Sequence, residues 1–162
     1  VNDYDYLSDA TIKIERLQYV GPLTQPNFLK VEIDYLQNVL LPPRVLKYNN
    51  VWGLDFKVQV MDEREICAEK IRAMSGRARY RDFYDLYLLS ERYQVDFLEI
   101  VSFLEQKEIR QPITKENILH NWSVVTTQKA HEMSQIYYAR PLNDSQIEGL
   151  IEKLPFNEIM GR

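Results

Sequence analysis

Cysteine is all but missing from this sequence: Cys67 stands alone among 162 residues and cannot close an internal disulfide. A reducing cytosol is the simplest setting for such a chain. Glycine is nearly as sparse, at five residues, which disfavours a loop-rich secreted scaffold and favours helices. No apolar run approaches the ~18 residues of a membrane span, and no signal peptide opens the chain. Positive charge is in deficit as well, since 20 Lys and Arg face 24 Asp and Glu for a formal net charge of -4. That balance argues against a protein that coats nucleic acid electrostatically. The expectation is a cytoplasmic chain, large enough for one compact core or for a small sheet joined to a helical bundle. Its first residue is Val1 rather than Met, and residues 1–9 carry no helix-start signal, so further sequence is expected upstream.

What is present is two periodicities in series. Residues 11–20, TIKIERLQYV, set Ile12, Ile14 and Leu17 among charged residues as a half-buried strand does. Residues 28–36, FLKVEIDYL, place Leu29, Val31, Ile33 and Tyr35 on one face, with Lys30, Glu32 and Asp34 on the other. The connector GPLTQPN, with two prolines and a glycine, predicts that these strands form an antiparallel pair. A loop at Pro42 and Pro43 leads to a third strand, FKVQV at 56–60. The period then lengthens towards that of a helix. Asp62 and Glu65 have capping-box spacing and open a helix over 63–74, with Ile66, Cys67, Ile71 and Met74 as its buried stripe, ended by Ser75-Gly76. A second helix is predicted over 80–93 with Phe83, Leu86 and Leu89 inward, and a third from the Asp96/Glu99 box to Gln106. The remainder reads as two or three more helices: ENILHNW, a segment near 124–138, and DSQIEGLIEKL before Pro155. Strands first and helices after imply an α+β fold, with a small antiparallel sheet in residues 1–60 and a helical domain in 61–162, packed as one unit.

Residues 60–89, VMDEREICAEKIRAMSGRARYRDFYDLYLL, concentrate charge of both signs on that scaffold. Lys70, Arg72, Arg77, Arg79 and Arg81 follow one another with no acid between them. In an acidic chain such a cluster suggests a local phosphate pocket. The commoner outcome of the same spacing is a solvated helix face whose arginines pair with neighbouring carboxylates. Lys70 lies one turn after Ile66 and borders the buried stripe. Asp82 and Asp85, three apart, share a helix face with Leu86 and Leu89 and so sit at the edge of a core, where a charge must be paired. Either Lys70 and the connecting arginines clamp two helices together through these acids, or Lys70 is a phosphate-binding lysine oriented by an acid. Periodicity leaves both open.

The same stretch resembles the AbiEii/AbiGii toxin family of abortive-infection systems, whose pattern is close to EE-I-x-AEK-x-RA…R-x-x-RD-x-YD-L-Y-x-L. The matching residues are Glu65, Ile66, Ala68, Glu69, Lys70, Arg72, Ala73, Arg77, Arg81, Asp82, Tyr84, Asp85, Leu86 and Tyr87. Upstream, LKVEIDY at 29–35 resembles the family strand that carries a carboxylate between apolar residues, with Glu32 as the matching acid. The resemblance covers roughly residues 11–95. It implies a nucleotidyltransferase-like fold, of which the sheet here would be a part, and transfer of a nucleotide from an NTP to an acceptor such as RNA under control of a cognate antitoxin. Such enzymes use carboxylates around divalent metal, here Mg2+, to activate the attacking hydroxyl and stabilise the leaving pyrophosphate. By the resemblance Glu32 is a metal ligand and Lys70 contacts the triphosphate as a point charge. Asp82 orients Lys70 or assists the acceptor, and Arg77, Arg81 and Asp85 belong to the nucleotide pocket. The family's Gly-Ser motif and its following Asp-x-Asp are not found before Glu32. Asp3-Tyr4-Asp5 has the second spacing without the first and reads as a turn or terminal segment. The chain alone is therefore expected to be an inactive part of a longer enzyme that binds Mg2+ weakly if at all. The alternative is a non-catalytic module that binds an antitoxin or RNA through its basic turn.

Other residues are weaker candidates. His120 and His131 have no Cys or third His to complete a zinc set and read as surface or cap residues. Trp52 and Trp122 read as buried aromatics, Tyr80, Tyr84 and Tyr87 as packing, and Cys67 as inert core.

Overall fold

A computed structural model of the chain describes residues 4–8, 11–34, 37–107, 109, 111–134, 138 and 140–160. The fold is α+β, with small antiparallel sheets alongside a dominant helical bundle. Two compact units divide the chain, Val1–Asn38 and Val39–Arg162. Among the described residues, no helix is long and apolar enough to cross a membrane.

The first unit is a three-stranded antiparallel sheet in the order β1 (Tyr4–Ser8), β2 (Thr11–Val20), β3 (Pro26–Asp34). The two alternating segments pair as expected, with Thr11 opposite Asp34 and Lys13 opposite Glu32, and the register shifts between Ile14 and Leu17. Strand β1 corrects the reading of Asp3-Tyr4-Asp5 as a turn. Tyr4 and Asp5 pair with Ile14 and Lys13, because the ten-residue β2 offers a second edge along which a short extended segment satisfies its backbone groups. Asp3 and Tyr35 lie outside the described residues.

In the second unit, β4 (Arg44–Lys47) and β5 (Lys57–Val60) form a hairpin, followed by α1 (Glu63–Gly76), α2 (Tyr80–Tyr93) and α3 (Phe97–Gln106). Then come β6 (Ile113–Thr114), α4 (Lys115–Ser134), α5 (Asp144–Glu152) and β7 (Glu158–Ile159), with β7 returning to pair with β6. Helix α1 packs against α2, α3 and α4, so its buried residues Cys67, Ala68, Ile71 and Met74 lie at the centre of the apolar core. Ile66, expected in that stripe, is only half-buried. The single α4 replaces the two helices expected over 114–138. Its Ser123, Thr126 and Thr127 hydroxyls donate to carbonyls three residues earlier, so a polar run that breaks the apolar pattern stays helical. Trp122 is buried against Phe83 and Tyr80. Trp52 is instead exposed at the β4–β5 hairpin tip, where the Asn50 side chain accepts from the Trp52 and Leu54 amides and organises the turn.

Both capping boxes expected from spacing are half made. Asp62 and Asp96 accept from the amides of Arg64 and Leu98, but the glutamates three residues on turn elsewhere. Glu99 accepts from Arg64 Nη1 at 2.7 Å. Glu65 is fully buried and accepts from the Leu40 and Leu41 amides at 2.8 and 3.1 Å and from Lys107 Nζ at 2.6 Å. These partners are stronger than a backbone N–H at a helix start, because one is a buried ammonium. A complete box does occur at α5, between Asn143 and Gln146. Helix α2 has no side-chain cap of its own, and Glu132 of α4 accepts from the Tyr80 amide instead. Tyr84 exchanges hydrogen bonds with the backbone of Arg140 through its hydroxyl.

Burial raises the Glu65 carboxyl's pKa, and Lys107 with the Leu40 and Leu41 amides more than reverses this, so it lies below the ordinary carboxylate value. A depressed folded value means that its stabilisation is present above the unfolded value and is lost as pH falls through the folded one. Glu65→Ala is expected to cost about 3 kcal/mol in urea denaturation at pH 7, because it removes one partner of a buried ammonium and leaves the Leu40 and Leu41 amides without their acceptor. Glu63→Ala, which removes only an exposed pair with Arg44, is expected to leave the urea midpoint close to that of the parent.

Candidate functional site

The site is built from the C-terminal part of α1, the extended connector after it and the first turns of α2. The capping residue of α1, Arg77, is in the extended region, as is Arg79 ahead of α2. This sharp exit from the helix turns α2 back along α1 and brings Asp82 beside Lys70, twelve residues earlier.

Asp82 has no exposed surface. Its Oδ1 accepts from Lys70 Nζ at 3.0 Å, and its Oδ2 accepts from Arg77 Nε at 2.9 Å. Lys70 Nζ also donates to Asp85 Oδ2 at 2.7 Å. Burial alone raises the pKa of the Asp82 carboxyl, but the hydrogen bonds from Arg77 and Lys70 hold it below the ordinary value. Accessibility falls off sharply across the cluster, since the side chains of Arg77, Asp85 and Lys70 are 46%, 43% and 23% exposed against 1% for Asp82. The two cations therefore reach solvent over a buried anion.

Lys70, Arg77 and Asp82 line a cleft of about 490 Å³, together with Glu69, Arg72 and Ile66. Arg72 is held by Glu69, whose Oε2 accepts from Nε and Nη2 at 2.8 and 2.6 Å. Each arginine of the cleft thus leans its Nε–Nη2 edge on a carboxylate, and neither Nη1 has a partner among the described residues. A cleft with three cationic side chains anchored from behind can bind an anion at little cost in ordering them.

Of the residues named from sequence, Lys70, Asp82, Asp85 and Arg77 come together. Asp85 touches Lys70 without lining the cleft, and Arg81 is exposed outside it. Glu32 belongs to the first unit, is exposed on β3, and pairs with Lys30 two residues away on the same face at 2.5 Å. Sequence reasoning gave no role to Glu69 or Lys107, took Glu65 for a capping residue, and placed Arg72 in the basic cluster without a partner. Glu65 and Glu69 could have been flagged, since they are four apart and flank Ala68 on the buried side of α1; Lys107 carries no signal. Cys67 is fully buried and its thiol is pushed up to about 12, first by burial and then by Glu63 and Asp62, so it is not a nucleophile at neutral pH. His120 and His131 are exposed on α4.

A divalent ion of the kind such chemistry uses needs carboxylates free to coordinate it. Asp82 and Asp85 are engaged by Lys70 and Arg77, and Glu69 by Arg72 and Lys107. Among the described residues, no group of three or more His, Cys, Asp or Glu could hold a metal ion. The described donor set does not fit one.

The class defined by these features is an α+β protein whose helical unit carries a cationic cleft over a buried carboxylate. The family model described as "Nucleotidyl transferase AbiEii toxin, Type IV TA system" matches residues 8–151. The chain belongs to the AbiEii family of nucleotidyltransferase-like toxins. Neither the curated proteins nor the solved structures contain a significant match to it.

Removing one cation of the clamp leaves Asp82 with the other, and only removing both strands a buried charge. Lys70→Met and Arg77→Met are each expected to cost about 1–2 kcal/mol, and the double variant about 3–5 kcal/mol. The sign of the acid response should also change. In the parent chain Asp82 contributes stability above its unfolded pKa of about 3.9, which is lost as pH falls through its depressed folded value. In the double variant burial acts unopposed, so protonation of Asp82 favours the folded state and its contribution to stability rises towards low pH. Urea midpoints between pH 3 and 7 would show additive single effects and an unchanged sign if Asp82 were not the element that couples the two cations.

Proposed function

We propose that the α1–α2 cleft is the triphosphate-binding part of a nucleotidyltransferase site. In this reading Lys70 is the phosphate ligand, Asp82 orients it, and Arg77 supplies further positive charge to the nucleotide, with Arg81, outside the cleft, left without a contact to it. The observation that carries the proposal is Lys70, partly exposed in the cleft, with its ammonium held between buried Asp82 and exposed Asp85. A lysine on a buried carboxylate is pre-aimed, and because Arg77 also neutralises Asp82, Lys70 can turn to a phosphate without stranding that acid. Asp85 is the partner that a phosphate would replace, since it can return to water. Family membership supports transfer of a nucleotide from an NTP to an acceptor such as RNA, with a cognate antitoxin as regulatory partner. By the family resemblance Glu32 would be a ligand of Mg2+.

Titration of the chain with ATP and with sodium tripolyphosphate tests the phosphate reading. Lys70→Met keeps the aliphatic stem, so it is expected to retain helical circular dichroism and to lose binding of both ligands. Unchanged binding per folded molecule would remove Lys70 from the site. The chain by itself is expected to transfer no nucleotide. Incubation with labelled NTPs, Mg2+ or Mn2+ and total RNA should leave the RNA unlabelled. Metal-dependent labelling well above a Glu32→Ala control would show that the chain is catalytically sufficient.

A further inference from the structure

Arg72 lines the cleft with Lys70 and Arg77, and the glutamate that holds it, Glu69, also meets the buried Lys107 ammonium. We propose that Lys107 is a positioning residue for Arg72: acting through Glu69, it fixes the guanidinium so that its free edge meets phosphate in the cleft. The inference rests on the reading of the cleft as a triphosphate site, and it adds to that site a component outside the 60–89 stretch.

The chain of contacts is short: an ion pair without a hydrogen bond joins Lys107 to Glu69 Oε1, and two hydrogen bonds join Glu69 to Arg72. Lys107 follows the last turn of α3, where its amide donates to the Phe103 and Leu104 carbonyls. Its side chain is 1% exposed, with Nζ at 2.6 Å from Glu65 Oε1 and 2.9 Å from Glu69 Oε1. Glu65 and Glu69 lie one turn apart on α1 and straddle the ammonium. The other oxygen of Glu69 takes two donors of Arg72, at 2.8 and 2.6 Å. Glu69 is thus held at one oxygen by a cation in the core and holds, at the other, a cation in the cleft. The ion pair with the buried ammonium narrows the set of side-chain rotamers open to Glu69. Without that anchor Glu69 would sample others and Arg72 would swing with it. Arg72 itself is 38% exposed, so solvent and ligand reach it.

The arrangement repeats on the other side of the cleft with different parts. Asp82 is short and buried on a helix, and holds Arg77 without help. Glu69 is longer and 22% exposed, and needs an anchor to do the same. Two arginines with fixed edges can grip a chain of phosphates with defined geometry, which a pair of mobile lysines cannot.

The test is calorimetric titration of the folded chain with sodium tripolyphosphate. Arg72→Gln is expected to weaken binding about tenfold, the value of one charge-assisted contact. Glu65→Gln/Lys107→Met removes the buried ammonium without stranding Glu65, and is expected to keep the fold and weaken binding by a similar factor. The decisive reading is non-additivity: in the Arg72→Gln background the same pair of changes should alter affinity less than about twofold. A merely structural Lys107 would not produce that dependence on Arg72. Should the paired change fail to fold, Glu69→Gln cuts the link while leaving Lys107 with Glu65, and the same loss and non-additivity are expected. Parent-like affinity in the Lys107 or Glu69 variants, or a loss that adds fully to that of Arg72→Gln, overturns the inference. Lys70→Met separates the two levels. Undiminished tripolyphosphate binding there overturns the triphosphate reading itself, whereas loss there with no effect of Arg72→Gln overturns only the role given to Arg72 and Lys107.

Discussion

A carboxylate that has lost its water must be given cations, and in this chain that constraint acts at Asp82. Its neighbours in the first turns of α2, Tyr80, Phe83 and Tyr84, are core residues, so docking α2 on α1 takes Asp82 out of solvent with them. Two cations within reach, Lys70 one helix back and Arg77 on the connector, settle onto its two oxygens. Packing of the aromatic face thus dictates where the charges go. The cationic cleft follows from it, because a lysine and an arginine that share one buried anion must lie side by side.

On the α3 side of α1 the roles are reversed. There the group without access to water is a cation, Lys107, and the carboxylates of Glu65 and Glu69 come to it. Glu65 also takes up the amides of Leu40 and Leu41, so the segment entering the helical unit is tied to the same buried charge. Helix α1 therefore carries an ionic anchor towards α2 and another towards α3, and residues 69 and 70, adjacent in sequence, belong to different anchors. Charges in such positions do little for net stability compared with apolar residues of equal volume. What they contribute is a fixed orientation for the side chains paired with them.

Legibility from sequence followed the strength of the periodic signal. Strands β2 and β3 and helices α1 to α3 were readable because alternation or a helical stripe ran the length of each. Helix α4 was not, since Ser123, Thr126 and Thr127 interrupt its stripe and are accommodated by hydroxyl bonds that no pattern shows. Strands β1, β6 and β7 are short, and each exists through its partner. The charged cluster was partly legible. Asp82, Asp85 and Lys70 could be placed at a core edge by spacing, and the identity of their partners narrowed to a few cations. The Glu65 and Glu69 pairing could not be foreseen, because Glu65 had a plausible local partner at the helix start and Lys107 is distant in sequence. Spacing rules describe what a side chain can reach locally, and a buried ammonium from another helix outcompetes a local amide.

The sequence posed a choice between a salt-bridge clamp and a phosphate site, and in the proposed reading these are two descriptions of the same atoms. A clamp that depended on Lys70 alone could not also serve as a site, since drawing the lysine to a ligand would leave a buried acid uncompensated. Here Asp82 has Arg77 on its other oxygen, and the second partner of Lys70, Asp85, is exposed enough to be rehydrated when displaced. In that reading, the second cation on Asp82 is what would let Lys70 change partners. Arg77 is bound by the opposite logic. Its two donors grip the buried acid, so it would keep its place if the lysine were drawn to a ligand. A fixed arginine beside a lysine that exchanges partners would give the proposed site both a rigid wall and an adjustable contact, and both would derive from the burial of a single aspartate.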